Sequence, residues 1–353
     1  MNAATIAVEV AFCAALTYIG LVLLRGCGIG GFARYALAFV AGILVFVASM
    51  VLLVVSGLPT TPVVALAVAS CVALGSWALT RRARGVGRRT SAQRGARWLR
   101  DAGAVLTVAV FVVLALPSID AVTYIKHVDS IEYIAIAGML TAQTLDEGVS
   151  LYQLQKRQLV VPALHAAARY GDAYYLRSVT PAIALSTLLF VVVMALASTR
   201  GPRAAAPTAW LVTLAVAVLG VGLLATHNRF VMHAFYINGH LLFGLLAVIV
   251  AGAAWLVARR AVDAVAGWST LAGLALAVLQ VTRVEAFVLT TALLVPILTS
   301  QRVPLVFKAA TLAGYGVGVV VWHGYLVGLG ITSLEVTGPL GIGMGALIAL
   351  PML

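Results

Sequence analysis

The chain has 353 residues, of which 63% are hydrophobic and only 10% are charged, and its formal net charge is +12. A soluble domain carries about a quarter charged residues, so this composition excludes an ordinary soluble enzyme. It also excludes an intrinsically disordered chain, because so much apolar surface would not stay solvated. The apolar residues must be gathered into membrane spans, and we predict an all-α polytopic membrane protein.

Apolar runs of about 20 residues, the length that crosses a bilayer, follow one another along the chain. The predicted spans are 3–24, 35–57, 62–79, 102–119, 178–198, 208–226, 240–258, 266–282, 284–300 and 309–330, with an apolar stretch at 340–353 as an eleventh. We therefore expect about 10 or 11 transmembrane helices. The spans divide the chain into an N-terminal three-span segment (1–80), a basic loop (81–101) and a transmembrane region (102–353) that contains a long connection, 118–177.

Basic residues mark every second connection between the predicted spans. Eight arginines lie in the loop 81–101, and pairs of basic residues follow the first, fifth, seventh and ninth spans. Cytoplasmic connections carry an excess of Lys and Arg, so we expect these connections inside and the N-terminus outside. Membrane topology thus accounts for the net charge, and we expect no nucleic-acid partner. The basic loop is expected to lie against anionic lipid headgroups, with docking of a partner protein as the alternative.

The histidines, the remaining basic residues and eight of the eleven acidic residues lie in the outer connections; Glu9 lies inside the first predicted span, and Asp101 and Asp263 lie in inside connections. Ionisable groups at a membrane are costly and are therefore functional candidates, so we expect any site to face outward. Helical spacing over Ile131–Leu140, and again over about 158–170, predicts two short interfacial helices in the long connection. Ser130 is a plausible N-cap of the first.

An ordered set of motifs runs through the long connection. An acidic motif, Asp129-Ser-Ile-Glu-Tyr133, opens an Ala-rich helix, a basic patch runs from Lys156 to Leu164, and Gly171 and Arg177 precede the next span; a turn, Thr282-Arg283-Val-Glu285-Ala, follows later. This order resembles the first extracytoplasmic loop of the GT-C superfamily of membrane glycosyltransferases, in particular protein mannosyltransferases and aminoarabinose transferases. The chain departs from that pattern with Ser130 in place of a second acid and with a single proline in the basic patch.

The resemblance implies an enzyme that transfers a sugar, with inversion, from a polyprenyl-phosphate donor to a glycan, glycolipid or protein acceptor of the cell envelope. Such a transfer needs a carboxylate to take the acceptor proton and cations to hold the departing phosphate. Asp129 is the expected catalytic base, with Asp120 in reserve. The cations expected at the donor phosphate are Arg283, Lys156, Arg177 and Arg229. The residues expected to bind substrate are Glu285, His227, Asn238, His240 and Tyr133.

No metal ligands are predicted, because the histidines His227, His233 and His240 lack the spacing of a zinc pair on a helix. No cofactor is expected with certainty, and a divalent cation stays open. The content of Ala, Val and Arg suggests a GC-rich bacterial source, which predicts a bacterial cytoplasmic membrane with the active site on its extracytoplasmic face. Two alternatives remain: a transporter or flippase of a lipid-linked envelope precursor, and a non-catalytic scaffold subunit with a membrane partner protein.

Overall fold

The computed structural model describes residues 3–83, 128–143, 154, 156–198, 207–283 and 285–352. These residues form α-helices and short 3-10 turns, and no strand occurs among them, so the all-α prediction is confirmed. The predicted span 102–119, most of the basic loop 81–101 and the reserve base Asp120 lie outside the described residues.

Thirteen α-helices make up the described part of the chain. They are α1 (Ala3–Gly26), α2 (Phe32–Val55), α3 (Pro62–Ala83), α4 (Val128–Ala142), α5 (Val160–His165), α6 (Val179–Ser198), α7 (Pro207–Thr226), α8 (Asn228–Phe235), α9 (His240–Ala258), α10 (Val265–Leu279), α11 (Ala286–Thr299), α12 (Leu305–Gly328) and α13 (Leu334–Ala349). One 3-10 turn, Ala166–Gly171, continues α5, and another, Leu350–Met352, follows α13.

Six of the described helices are long and apolar enough to cross a membrane: α1, α2, α3, α6, α9 and α12. A seventh predicted span is broken, because Leu211–Thr226 and the following α8 meet at a bend of 70°. The predicted spans 266–282, 284–300 and 340–353 correspond to α10, α11 and α13, which are apolar but shorter. The chain is therefore a multi-pass membrane protein, with fewer full-length spans among its described residues than we predicted.

Helix α2 occupies the centre of the N-terminal part of the bundle. It packs against α1, α3, α6 and α10, and most of its residues are buried. Its crossing with α1 is very close, because a methyl group added to Gly42 would overlap the carbonyl oxygen of Leu16, and one added to Gly20 would overlap that of Ala38. Small residues at such crossings let two membrane helices approach backbone to backbone. The first two spans are therefore part of the same packed core as α6 and α10.

The long predicted connection lies across one end of this bundle. Thr5 at the start of α1 donates to the Gly171 carbonyl (2.7 Å), and Thr60 before α3 donates to the Leu140 carbonyl at the end of α4 (3.0 Å). The two short predicted helices are present as α4 and as α5 with its 3-10 turn. All six residues of α5 are buried, so this helix lies among other helices rather than with one face exposed on a membrane surface. We call this end of the bundle the Asp129 end.

Candidate functional site

Helix α4 brings three side chains of the acidic motif to one place. The helix begins at Val128, so Asp129 lies in its first turn, where a carboxylate is favoured by the helix dipole. Glu132 and Tyr133 follow at the spacings i+3 and i+4, which put them on the same face of a helix as Asp129. Tyr133 is almost completely buried, and burial raises the pKa of its hydroxyl.

Arg157 joins the two carboxylates of this face. Its Nη2 atom lies 2.6 Å from Oδ1 of Asp129, and its Nε atom donates to Oε2 of Glu132. The guanidinium also lies 5.8 Å from the centre of the Tyr133 ring. Only 8% of Arg157 is exposed, so this cation is held inside the protein by two anions and an aromatic ring. We predicted a role for its neighbour Lys156 instead, and Lys156 is exposed.

A second ion pair lies in the turn between α10 and α11. Arg283 donates to both oxygens of Glu285, at 3.0 and 3.1 Å, in the two-point geometry typical of arginine and carboxylate. This hydrogen bonding lowers the pKa of Glu285. Nη1 of Arg283 is also 2.7 Å from Nε2 of His240 at the start of α9. The guanidinium therefore links two connections that are distant in sequence.

Two histidines and an asparagine complete this side of the site. The rings of His233 and His240 are stacked, with centres 5.1 Å apart and planes 12° from parallel. The Asn238 side chain contacts both residues. Its Oδ1 atom accepts from the backbone amide of His240 (2.8 Å), and its Nδ2 atom lies 3.1 Å from Nδ1 of His233. His240 and Asn238 were predicted as site residues, whereas His233 was not. The bend between α7 and α8 turns His233 toward α9.

The two ion pairs and the histidines form one electrostatic group. Tyr133 is influenced by the charges of Arg157, Arg283 and Asp129, and the charge of Asp129 also acts on Tyr236. Burial raises the pKa of Tyr236, while a hydrogen bond with Ser130 lowers it. We call this group the Asp129 cluster. Its members are Asp129, Glu132, Tyr133, Arg157, His233, Tyr236, Asn238, His240, Arg283 and Glu285.

Ser130 is not the N-cap that we predicted. Helix α4 begins two residues earlier, and the buried Ser130 hydroxyl donates to the carbonyl of Ile237 at 3.2 Å. This bond connects α4 to the segment between α8 and α9, which carries Tyr236 and Asn238. Ser130 thus holds two parts of the cluster together, and Glu132 is the second carboxylate bound by Arg157.

The other predicted site residues lie at the margin of the cluster or outside it. The Arg177 guanidinium lies 6.0 Å from the Tyr175 ring, which packs against the apolar group around Tyr133. Arg229 is exposed on α8, one turn before His233, and His227 is exposed at the bend between α7 and α8. None of these three contributes a hydrogen bond or salt bridge to the Asp129 cluster among the described contacts. Arg157, which was not predicted, is thus a cation of the cluster, and Lys156 and Arg177 are not among its members.

Among the described residues, no group of three or more His, Cys, Asp and Glu side chains is arranged to hold a metal ion. Comparison of the chain with protein-family models, with curated proteins and with solved structures gives no match in any of the three. Membership of the GT-C superfamily thus stays a prediction that rests on the loop motifs.

Proposed function

We propose that the protein is a membrane glycosyltransferase of GT-C type that transfers a sugar from a polyprenyl-phosphate donor to an envelope glycan, glycolipid or protein. The observation that supports this most is the Asp129 cluster: three carboxylates and two guanidiniums gathered at the end of a transmembrane bundle. Both halves of the required chemistry, a proton acceptor and cations for a departing phosphate, are present there. The alternation of basic connections supports an extracytoplasmic position for this end, in a bacterial cytoplasmic membrane.

Asp129 is the base in this proposal. About a third of its side chain is exposed, so an acceptor hydroxyl can reach it. The carboxylate takes the hydroxyl proton while the hydroxyl oxygen bonds to the anomeric carbon of the sugar. Arg157 holds the Asp129 carboxylate in position, and Glu132 is a second anionic partner of the same guanidinium.

The leaving group is the polyprenyl phosphate. The bond between the anomeric carbon and the phosphate oxygen breaks, and its electron pair leaves with the phosphate. Arg283 is the better placed cation for this charge, because its side chain is 27% exposed whereas Arg157 is nearly buried. Glu285 and His240 hold the guanidinium in place before the donor binds. A single displacement of this kind inverts the configuration at the anomeric carbon.

The first test is Asp129→Asn, which keeps the size of the side chain and removes its basicity. Purified protein in detergent is incubated with polyprenyl phosphates that carry a radiolabelled hexose or pentose, together with membrane acceptors. We expect the wild type to transfer label and release polyprenyl phosphate, and the variant to lose at least about two orders of magnitude in rate. Expression of the variant should match wild type, and its unfolding temperature should fall only modestly, because Arg157 keeps Glu132 as a partner.

The matched control is Asp172→Asn, an acid-to-amide change at an exposed position of the same end. Asp172 has a φ of 54°, and asparagine tolerates that backbone conformation well. The control should keep wild-type transfer. Undiminished transfer by Asp129→Asn, with the control also active, would remove Asp129 from the mechanism; no transfer by the wild type with any donor would contradict the proposed function.

A transporter of a lipid-linked precursor is the second candidate, and one observation favours it. The bend of 70° between Leu211–Thr226 and α8 is a broken span or a re-entrant loop, and discontinuous helices are common at the substrate sites of transporters. Proteoliposomes separate the two functions. Movement of the labelled lipid across the bilayer without release of polyprenyl phosphate indicates transport, and release of polyprenyl phosphate indicates transfer.

A further inference from the structure

Gln158 has an unusual backbone at a buried position. Its φ is 58°, in the left-handed region that side-chain-bearing residues rarely adopt. The other described non-glycine residues with positive φ, Gln143, Asp172 and Arg260, also follow the end of a helical segment, but all three are exposed. Gln158 is 1% exposed. Strained backbone conformations in protein interiors cluster at functional sites, where surrounding contacts maintain them.

The contact that maintains this conformation comes from α12. Nε1 of Trp322 donates to Oε1 of Gln158, and Trp322 is completely buried. A buried indole N–H requires an acceptor, and an amide side chain without its partner would carry a desolvation cost. The Gln158 amide N–H donates to the Leu154 carbonyl (3.1 Å), so the backbone turns out of a helical turn at this residue.

The turn at Gln158 lies between the two arginines of the site. Arg157 precedes it directly and reaches Asp129 and Glu132. Two residues after Gln158, the Val160 amide donates to the Val281 carbonyl (3.3 Å), next to the turn that carries Arg283. A change in the backbone at Gln158 would therefore alter the direction of Arg157 and its separation from Arg283.

We propose that Gln158 is a positioning residue, whose hydrogen bond from Trp322 holds the turn that directs Arg157 onto Asp129 and Glu132. The catalytic consequence of this role rests on the proposed function, and the geometric part does not. Gln158 itself touches no reacting atom. Its effect on activity passes through Arg157, which keeps Asp129 in place for the acceptor.

The test is a double-mutant cycle read by thermal unfolding of the full chain in detergent. Arg157→Ala is introduced into the wild type, into Gln158→Gly and into Tyr315→Phe. Glycine accepts the positive φ, so Gln158→Gly removes the amide without adding backbone strain. Tyr315 is a matched control, because it is buried on the same helix as Trp322 and its hydroxyl contacts Thr291, away from Gln158.

We expect Arg157→Ala to lower the unfolding temperature clearly in the wild type and by the same amount in Tyr315→Phe. In Gln158→Gly the same change should cause less than half of that loss, because Arg157 is already misdirected there. Equal losses in all three backgrounds would overturn the proposal, as would an unchanged unfolding temperature of Arg157→Ala in the wild type.

Transfer assays give a second readout. We expect Gln158→Gly to lower kcat/KM for the donor by about tenfold or more, as small displacements in an active site do. The same change in the Arg157→Ala background should have no further effect. Absence of transfer by the wild type would contradict the proposed function and leave the thermal cycle to decide the role of Gln158. Transfer by the wild type with additive thermal losses would contradict the positioning role alone.

Discussion

The crossing of α1 and α2 and the Asp129 end are stabilised in opposite ways. At the crossing, Gly20 and Gly42 let two backbones meet, and the surrounding side chains are almost all apolar. At the Asp129 end, arginines, carboxylates, histidines and tyrosines contact one another. Close packing of small residues requires no charge, whereas partly buried ions must be paired because an unpaired ion there is costly.

These two kinds of stabilisation predict which substitutions each region tolerates. The crossing can accept the loss of a polar group but not an added atom, because its backbones are in contact. The Asp129 end has exposed side chains around it and can accept added atoms, but it cannot lose one member of an ion pair or of a buried hydrogen bond without cost. The three predictions below test this contrast, from the largest expected effect to the smallest.

Gly42→Ala should be the most damaging single change at the crossing. The added methyl overlaps the carbonyl oxygen of Leu16, which is backbone and cannot rotate away. We expect a loss of more than about 3 kcal/mol, at the upper end of the range for overpacking. Thermal unfolding in detergent measures it. In the matched control, Gly75→Ala on α3, the methyl meets nothing within 4 Å, and we expect a gain of up to about 1 kcal/mol.

A fall in pH should weaken the Asp129 end through His165. This histidine is fully buried, and burial lowers its pKa from 6.5 to about 4. Between pH 6.5 and 4 the unfolded chain therefore binds a proton that the folded chain excludes, so stability is complete above pH 6.5 and falls as the pH drops through this window. The loss amounts to at most about 3 kcal/mol at pH 4.

His165→Asn separates this effect from the titration of carboxylates. The Asn oxygen can replace Nδ1 of His165, which accepts from the Leu176 amide at 3.2 Å, and it does not titrate. Unfolding temperatures are measured from pH 7.5 to 4 for both proteins. The variant should lose clearly less stability than the wild type across this range. Parallel losses would show that His165 does not contribute to the acid sensitivity.

Glu9→Gln tests the contact that joins the two regions. Glu9 lies on α1 and is buried, and its two oxygens accept from the amides of Arg177 (3.0 Å) and Ser178 (3.1 Å) just before α6. Glutamine keeps one acceptor and presents an N–H to the other amide. We expect a loss of about 2 kcal/mol, as for a hydrogen bond to a charged group. Asp263→Asn, an exposed acid-to-amide change, should stay within about 0.5 kcal/mol of wild type. Equal stability of Glu9→Gln and Asp263→Asn would contradict the prediction.

The sequence was a good guide to the helices because hydropathy is a local property. Six predicted spans are present at nearly the predicted positions, and Asp129, Tyr133, Asn238, His240, Arg283 and Glu285 lie in one cluster. The bend after Thr226 was not predicted, since the polar residues His227, Asn228 and Arg229 indicated an outer connection rather than a helix. The alternation of basic connections predicted which connections lie at the same end of the bundle. Connections that we predicted to share the Asp129 end contact one another in the structure.

The sequence did not show which of two adjacent basic residues enters the Asp129 cluster. Lys156 and Arg157 are adjacent and both cationic, and only the structure shows that the arginine is buried and the lysine exposed. The motif also did not reveal that Ser130 would bond to Ile237 or that His233 would stack on His240.

By itself the amino-acid sequence determined that this is an all-α membrane protein and which residues carry its ionisable chemistry, because both follow from the order of apolar and charged residues. Tertiary structure alone decided that one buried guanidinium, Arg157, pairs with both Asp129 and Glu132. It also decided that Glu9 in the first span supports the segment before α6. Such pairings depend on how distant helices pack, and the packing is set by the shapes of whole faces, such as the glycines where α1 meets α2.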